Sequence, residues 1–135
     1  MRLLGVDLGT VRIGIAVAET EPFVTTPRPF LTAAGSLRKD AAQVARIATV
    51  EKVERVIVGL PLESGEEGRM AGVMRRFGAE LEALGCTVGY ADEAMTSVKA
   101  GESLAAAGLT IAQSRRRKDG EVACRILEAY AASPK

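Results

Sequence analysis

Leu3-Leu4-Gly5-Val6-Asp7-Leu8-Gly9-Thr10-Val11-Arg12-Ile13-Gly14-Ile15-Ala16-Val17-Ala18 reads as two strands folded back on one another. Residues 2–7 and Arg12 to Ala18 are apolar and β-like, they join across Gly9-Thr10, and Gly5, Gly9 and Gly14 leave the backbone uncrowded. Asp7 stands just before the turn. The chain therefore opens on a hairpin that carries a carboxylate at its end.

Outward from the hairpin, a third extended piece runs near Arg28 to Thr32, and Pro22, Pro27 and Pro29 confine it to irregular or edge geometry. Ser36 is a candidate N-cap for a helix over 37–49 with Leu37, Ala41, Val44, Ala45 and Ala48 on one face. Val53 to Gly59 reads as a buried strand stopped by Gly59-Leu60-Pro61. A Gly- and Glu-rich loop (63–68) leads into a helix over 69–84, closed by Gly85. Thr87 to Ala91 is a short strand that delivers Asp92-Glu93 to its end. Thr96 or Ser97 can cap a further helix to Ala107, a polar loop with a basic run follows, and the last helix covers 119–132. The order β-β-β-α-β-α-β-α-α predicts an α/β fold, a mixed five-stranded sheet with helices on both faces. A chain of 135 residues makes this one domain, 1–135, with room for a real core.

Composition narrows the chemistry. Hydrophobic residues at 47% and charged residues at 26% fit a folded globular chain. No apolar run reaches the roughly 18 residues of a membrane span, and Asp7 comes too early for a signal peptide. With only Cys86 and Cys124, reduced thiols in a cytoplasmic protein are expected, and a Cys86–Cys124 bridge stays open. The absence of histidine excludes Ser-His-Asp and Cys-His systems and HExxH zinc helices. No GxxxxGK[ST] loop is present. Net charge is +1, yet Arg115, Arg116, Arg117 and Lys118 form one basic run and Arg75-Arg76 a pair. Local patches of this kind hold phosphates even when net charge is small.

Three acids lie at element edges: Asp7, Glu93 and Asp119. Converging carboxylates repel one another unless cations hold them, and all-oxygen donors suit hard divalent ions. Two Mg²⁺ or Mn²⁺ ions about 4 Å apart can stabilise attacking and leaving oxygens in phosphodiester cleavage, with water as nucleophile. Asp119 at the start of the last helix would also gain from the helix dipole. Arg12, Arg115, Arg116, Arg117 and Lys118 are candidate contacts to a nucleic-acid backbone. Structural readings stand beside these: a turn hydrogen bond for Asp7, helix-start acids for Glu93 and Asp119, a solvated loop for the basic run.

Gly5-Val6-Asp7-Leu8-Gly9-Thr10-Val11-Arg12-Ile13-Gly14-Ile15-Ala16 resembles the opening of the YqgF/RuvX family. Gly59-Leu60-Pro61-Leu62, Asp92-Glu93 before Thr96-Ser97, and Lys118-Asp119 followed by Ala123, Ile126-Leu127 and Tyr130 resemble its later motifs, in order. The resemblance implies an RNase H-like fold with Asp7, Glu93 and Asp119 as catalytic, metal-binding carboxylates. It implies a hydrolase, a cytoplasmic nuclease that trims the 5′ end of the 16S ribosomal RNA precursor, acting on pre-rRNA or precursor particles as monomer or homodimer. Holliday junction resolution or other DNA cleavage is the alternative, and a catalytically weak nucleic-acid-binding module a further one. Leu8 stands where an aromatic is usual, Val11 where Lys is, and Ala94 where Arg follows the Asp-Glu pair. The loop Glu63-Ser64-Gly65-Glu66-Glu67-Gly68 lacks the family's usual Asn and Asp-Gly. Val6-Asp7-Leu8-Gly9-Thr10 also resembles the phosphate loop of actin-like kinases, which clamp nucleotide between two domains.

Overall fold

Residues Arg2–Leu8 form β1, whose run Leu3-Leu4-Gly5-Val6 is buried at every position rather than at alternate ones. A strand of that kind needs cover on both faces, which places it inside a sheet. The computed structural model describes residues 1–63, 66–92 and 111–132, apart from the side chains of residue 63 and of residues 111–119. In it β1 is the central strand. It pairs antiparallel with β2 (Arg12–Thr20), and β2 pairs antiparallel with β3 (Phe23–Thr32). After helix α1 (Leu37–Val50), β4 (Arg55–Leu60) returns parallel to β1. A short hairpin of β5 (Leu62–Glu63) and β6 (Glu66–Glu67), then helix α2 (Arg69–Ala83), precede β7 (Val88–Asp92), which lies parallel to β4. The last element is helix α3 (Ile111–Ala132), and the five-stranded sheet runs β3-β2-β1-β4-β7.

The two faces of the sheet are built from residues of different size. Leu4, Val6, Ile13, Ile15, Val56 and Val58 meet α1 and α2 through Val44, Met74, Phe77 and Leu81. Leu3, Ala16, Ala18, Ile57 and Ala91 meet α3 through Ala123, Ile126, Leu127 and Tyr130. Glycines deepen the second contact. A β-carbon on Gly5 would come 2.7 Å from both the Ala123 carbonyl oxygen and Leu127 Cγ, so α3 sits close on β1. Each large aliphatic side chain so buried contributes roughly 1.5–3 kcal/mol.

The mixed sheet with helices on both faces is as the sequence predicts, with three differences. The edge strand β3 begins at Phe23 and not near Arg28, and its prolines lie inside it; an edge strand tolerates proline where no ladder donor is needed. The loop 63–68 contains the β5–β6 hairpin. Helix α3 begins at Ile111, eight residues before the expected start at 119. The basic run therefore lies in a helix rather than a loop, and Asp119 lies in the helix interior, where the dipole of a first turn does not act. Arg, Lys, Gln and Ala are good helix formers, and that propensity carries the segment. The helix expected over 96–107 falls outside the described residues.

Both local caps occur. The Ser36 hydroxyl accepts from the Lys39 N–H at 3.4 Å, and Gly85 adopts φ +92° after α2. Cys86 and Cys124 are free thiols that pack on opposite faces of the sheet, which closes the question of a bridge.

Candidate nuclease site

The strands β1, β4 and β7 are parallel, so their C-terminal ends meet at one edge of the sheet. Loops at such an edge are where open α/β sheets bind ligands. Asp7 is there, half-buried and level with Gly14 of β2. The chain turns at once: the Gly9 N–H donates to the Arg12 carbonyl at 3.0 Å, and a β-carbon on Gly9 would stand 2.5 Å from that oxygen. Val11 is left exposed at the tip.

Strand alternation decides which way Asp7 faces. Leu3 packs in the α3 layer and Gly5 touches Ala123 and Leu127, so the third member of that series, Asp7, lies on the α3 side. Helix and strand run in opposite directions here. Arg55, level with Leu3, donates to the Tyr130 hydroxyl, while Gly5 lies against Ala123. Two strand residues beyond Gly5 advance about 6.6 Å, and one helical turn back from Ala123 advances about 5.4 Å. That turn ends at Asp119, which shares the stripe of Ala123 and Leu127. The fold thus brings Asp7 and the backbone of Asp119 to one end of one packed layer. Arg115 precedes Asp119 by one further turn, whereas Arg116 and Arg117 fall on other sides of the helix.

Asp92 ends β7, opposite Leu60 of β4, and Glu93 follows it in the chain but lies outside the described residues. The side chains of Arg115, Arg116, Arg117, Lys118 and Asp119 are likewise outside them. Arg12 opens β2 beside the turn, its guanidinium carbon 5.6 Å from the centroid of the Phe30 ring. Among the described residues no three His, Cys, Asp or Glu side chains gather as a metal centre. The donors named by the sequence nevertheless suit a hard cation, since all are carboxylates.

A second cluster at this edge was not legible in the sequence. Arg75 of α2 donates from Nε and Nη2 to the two carboxylate oxygens of Glu67 on β6, each at 2.7 Å. Its guanidinium carbon also lies 5.0 Å from the centroid of the Tyr90 ring on β7. The β5–β6 hairpin is thereby tied to α2 beside the strand that leads to Glu93. The Arg75-Arg76 pair was the visible signal, without a partner to give it meaning. A cavity of about 240 Å³ lined by Lys52, Glu54, Arg55, Cys86 and Thr87 lies at the opposite end of the sheet, away from Asp7. No helix among the described residues is long and apolar enough to cross a membrane.

Residues 1–133 match the RuvX family, described as "Holliday junction resolvase". A protein of Anaeromyxobacter dehalogenans named "Putative pre-16S rRNA nuclease" is 41% identical over 133 residues, covering 96% of each chain. A protein of Chloroflexus aggregans with the same name is 38% identical over 130 residues, covering 95% of this chain and 91% of its own. The structure of Thermus thermophilus RuvC in complex with a Holliday junction substrate is similar at a TM-score of 0.59 and 15% identity, covering 98% of this chain and 95% of that one. That last likeness is one of fold: RNase H-like, as expected.

Proposed function

The chain belongs to the RuvX family, and from that membership we propose that it is a divalent-metal-dependent nuclease that processes the 5′ end of the 16S ribosomal RNA precursor. The observation that supports this reading is that Asp7 and the backbone of Asp119 lie at one end of the β1–α3 contact. The names of the curated relatives favour precursor RNA as substrate over DNA. Such a substrate puts the protein in the bacterial cytoplasm, acting on RNA or on precursor particles as a single domain over residues 1–135.

Asp7, Glu93 and Asp119 would hold Mg²⁺ or Mn²⁺, since all-oxygen donors suit hard cations and a two-ion site suits phosphodiester cleavage. A cation held there would supply charge neutralisation at the scissile phosphate and a more acidic water, work that an imidazole does elsewhere and which this chain has no histidine to do. The remaining parts bind and orient. Arg12 beside the turn and the α3 cations, Arg115 foremost by its stripe, position backbone phosphates. The Glu67–Arg75 pair holds the β5–β6 hairpin as one wall of the edge.

Junction resolution is the second reading, favoured by the family's description and by the shared fold with a junction-bound resolvase. It needs two sites and hence a homodimer. The test is cleavage of end-labelled precursor RNA, single-stranded DNA and a four-way DNA junction with Mg²⁺, Mn²⁺ or EDTA, with Asp7→Asn alongside. Metal-dependent cutting of the RNA, lost in the variant, supports rRNA processing. Preference for the junction transfers the assignment to resolution. Tight binding without cutting of any substrate would leave a binding module and sink the nuclease reading.

A further inference from the structure

Gly120 is out of place by local rules. A glycine inside a helix is unfavourable relative to alanine, and this one is buried in α3 immediately after Asp119. The packing supplies a reason. A β-carbon at Gly120 would stand 2.7 Å from Cβ of Pro27 on β3, with Pro27 Cα and the Arg28 carbonyl oxygen each at 3.6 Å. Pro27 Cβ belongs to a closed ring fixed to the strand backbone, so it cannot swing aside. Ordinary carbon–carbon separation would require roughly 1 Å of movement. The helix would have to lift at the turn that carries Asp119. Gly72 of α2 is the contrast: a β-carbon there meets nothing within 4 Å.

We propose that Gly120 and Pro27 are positioning residues whose contact sets how deeply the Asp119 turn of α3 sits on the sheet. That depth, together with the Gly5–Ala123 approach, fixes the separation between the backbones of Asp7 and Asp119. Two close approaches follow Asp119 within the next turn of the helix, one over the edge strand and one over the central strand, so both the height and the sideways tilt of that turn are constrained. A cation shared by the two carboxylates tolerates little error in that separation. The inference rests on the reading of Asp7 and Asp119 as cation ligands.

The experiment compares full-length Gly120→Ala, Pro27→Gly, the double variant, and Gly72→Ala as the helix-glycine control. It measures Mn²⁺ affinity by calorimetry without nucleic acid, kcat and KM on the cleaved substrate, and melting temperature. Gly120→Ala is expected to weaken Mn²⁺ binding and to lower kcat on the order of 100-fold, with KM unchanged. Pro27→Gly in the same chain restores both, and Gly72→Ala alters neither. Wild-type Mn²⁺ affinity and kcat in Gly120→Ala overturn the inference, as does a loss confined to melting temperature or a double variant without rescue. Should Gly120→Ala not fold, the double variant decides: Mn²⁺ binding supports the inference, and failure to fold or to bind overturns it. Wild-type protein whose Mn²⁺ binding is absent, or survives Asp7→Asn, sinks the site reading itself and the inference with it. Asp7-dependent binding with an indifferent Gly120→Ala removes only the positioning role.

Discussion

Gly5 of β1 and Ala123 of α3 touch backbone to backbone: a β-carbon on the glycine would lie 2.7 Å from the alanine carbonyl oxygen. The contact stands two residues before Asp7 and one turn after Asp119, so it joins the two elements that carry the proposed ligands. Gly5→Ala should therefore overpack the layer and cost about 1–3 kcal/mol of stability in urea unfolding. Gly72→Ala, in open space on α2, should gain up to about 1 kcal/mol. Equal midpoints for Gly5→Ala and wild type would show that the layer yields.

Asp7→Asn should retain a cooperative melt and the far-ultraviolet spectrum of the wild type, because the amide keeps the size and shape of the carboxylate at the end of β1. Cleavage should fall by about 10²–10³-fold, the cost of removing one strong electrostatic element from a transition-state site. Unchanged cleavage would remove Asp7 from the catalytic set.

Acid sensitivity should centre on Glu51. Its carboxylate accepts from Arg28 Nε and from Arg2 Nη2, each at 2.8 Å, and those bonds, Arg28 first, hold its pKa below the ordinary carboxylate value. A group lowered on folding contributes stability that is fully present above its unfolded pKa, about 4.3 for Glu. That contribution is lost as pH falls through the folded value. Glu51→Gln should then melt lower than wild type at pH 7, with the gap closing towards pH 3. A gap independent of pH would assign the difference to packing.

Alanine at Arg115, Arg116 and Arg117 together should weaken nucleic-acid binding and flatten its dependence on salt. Each lost phosphate contact lowers the slope of log K against log salt by about 0.7–0.9. Residues on a helix turn by about 100° per position, so the three do not share one side. The slope should fall by the amount of one or two contacts rather than three, and Arg115→Ala alone should account for much of it. An unaltered slope would return the run to plain solvation.

Both thiols should be slow to react. Burial pushes the pKa of Cys86 and of Cys124 up, although a hydrogen bond with Thr25 draws Cys124 partly back. A colorimetric thiol assay at pH 7.5 should develop slowly in the native protein and fully on unfolding. Mild oxidation should leave the chain unbridged on a non-reducing gel, since the two sulfurs lie on opposite faces of the sheet. Fast native reaction would contradict the burial.

The strands that decide the fold were legible because they are buried on both faces, and an unbroken apolar run such as Leu3-Leu4-Gly5-Val6 has few other uses. Asp7 was legible for the same reason, as the first charge to interrupt such a run beside a glycine turn. The start of α3 was not. Ser114 and the polar residues around it read as a loop, and helix propensity without a cap marks no boundary. The β5–β6 hairpin was hidden too, since two-residue strands carry no period. Gly120 carried no signal in the sequence, and only the nearness of Pro27 shows why a glycine stands inside this helix.

Pro27 faces in two directions at once. Towards α3 it is a contact surface; along the outer rim of β3 it and Pro29 are missing donors. An open sheet invites another chain to add a strand, and a rim that lacks two N–H groups within three residues offers that visitor an interrupted ladder. The sheet is thereby stopped from growing on this side. The feature that seats the helix thus also leaves this rim of β3 a poor template for strand addition.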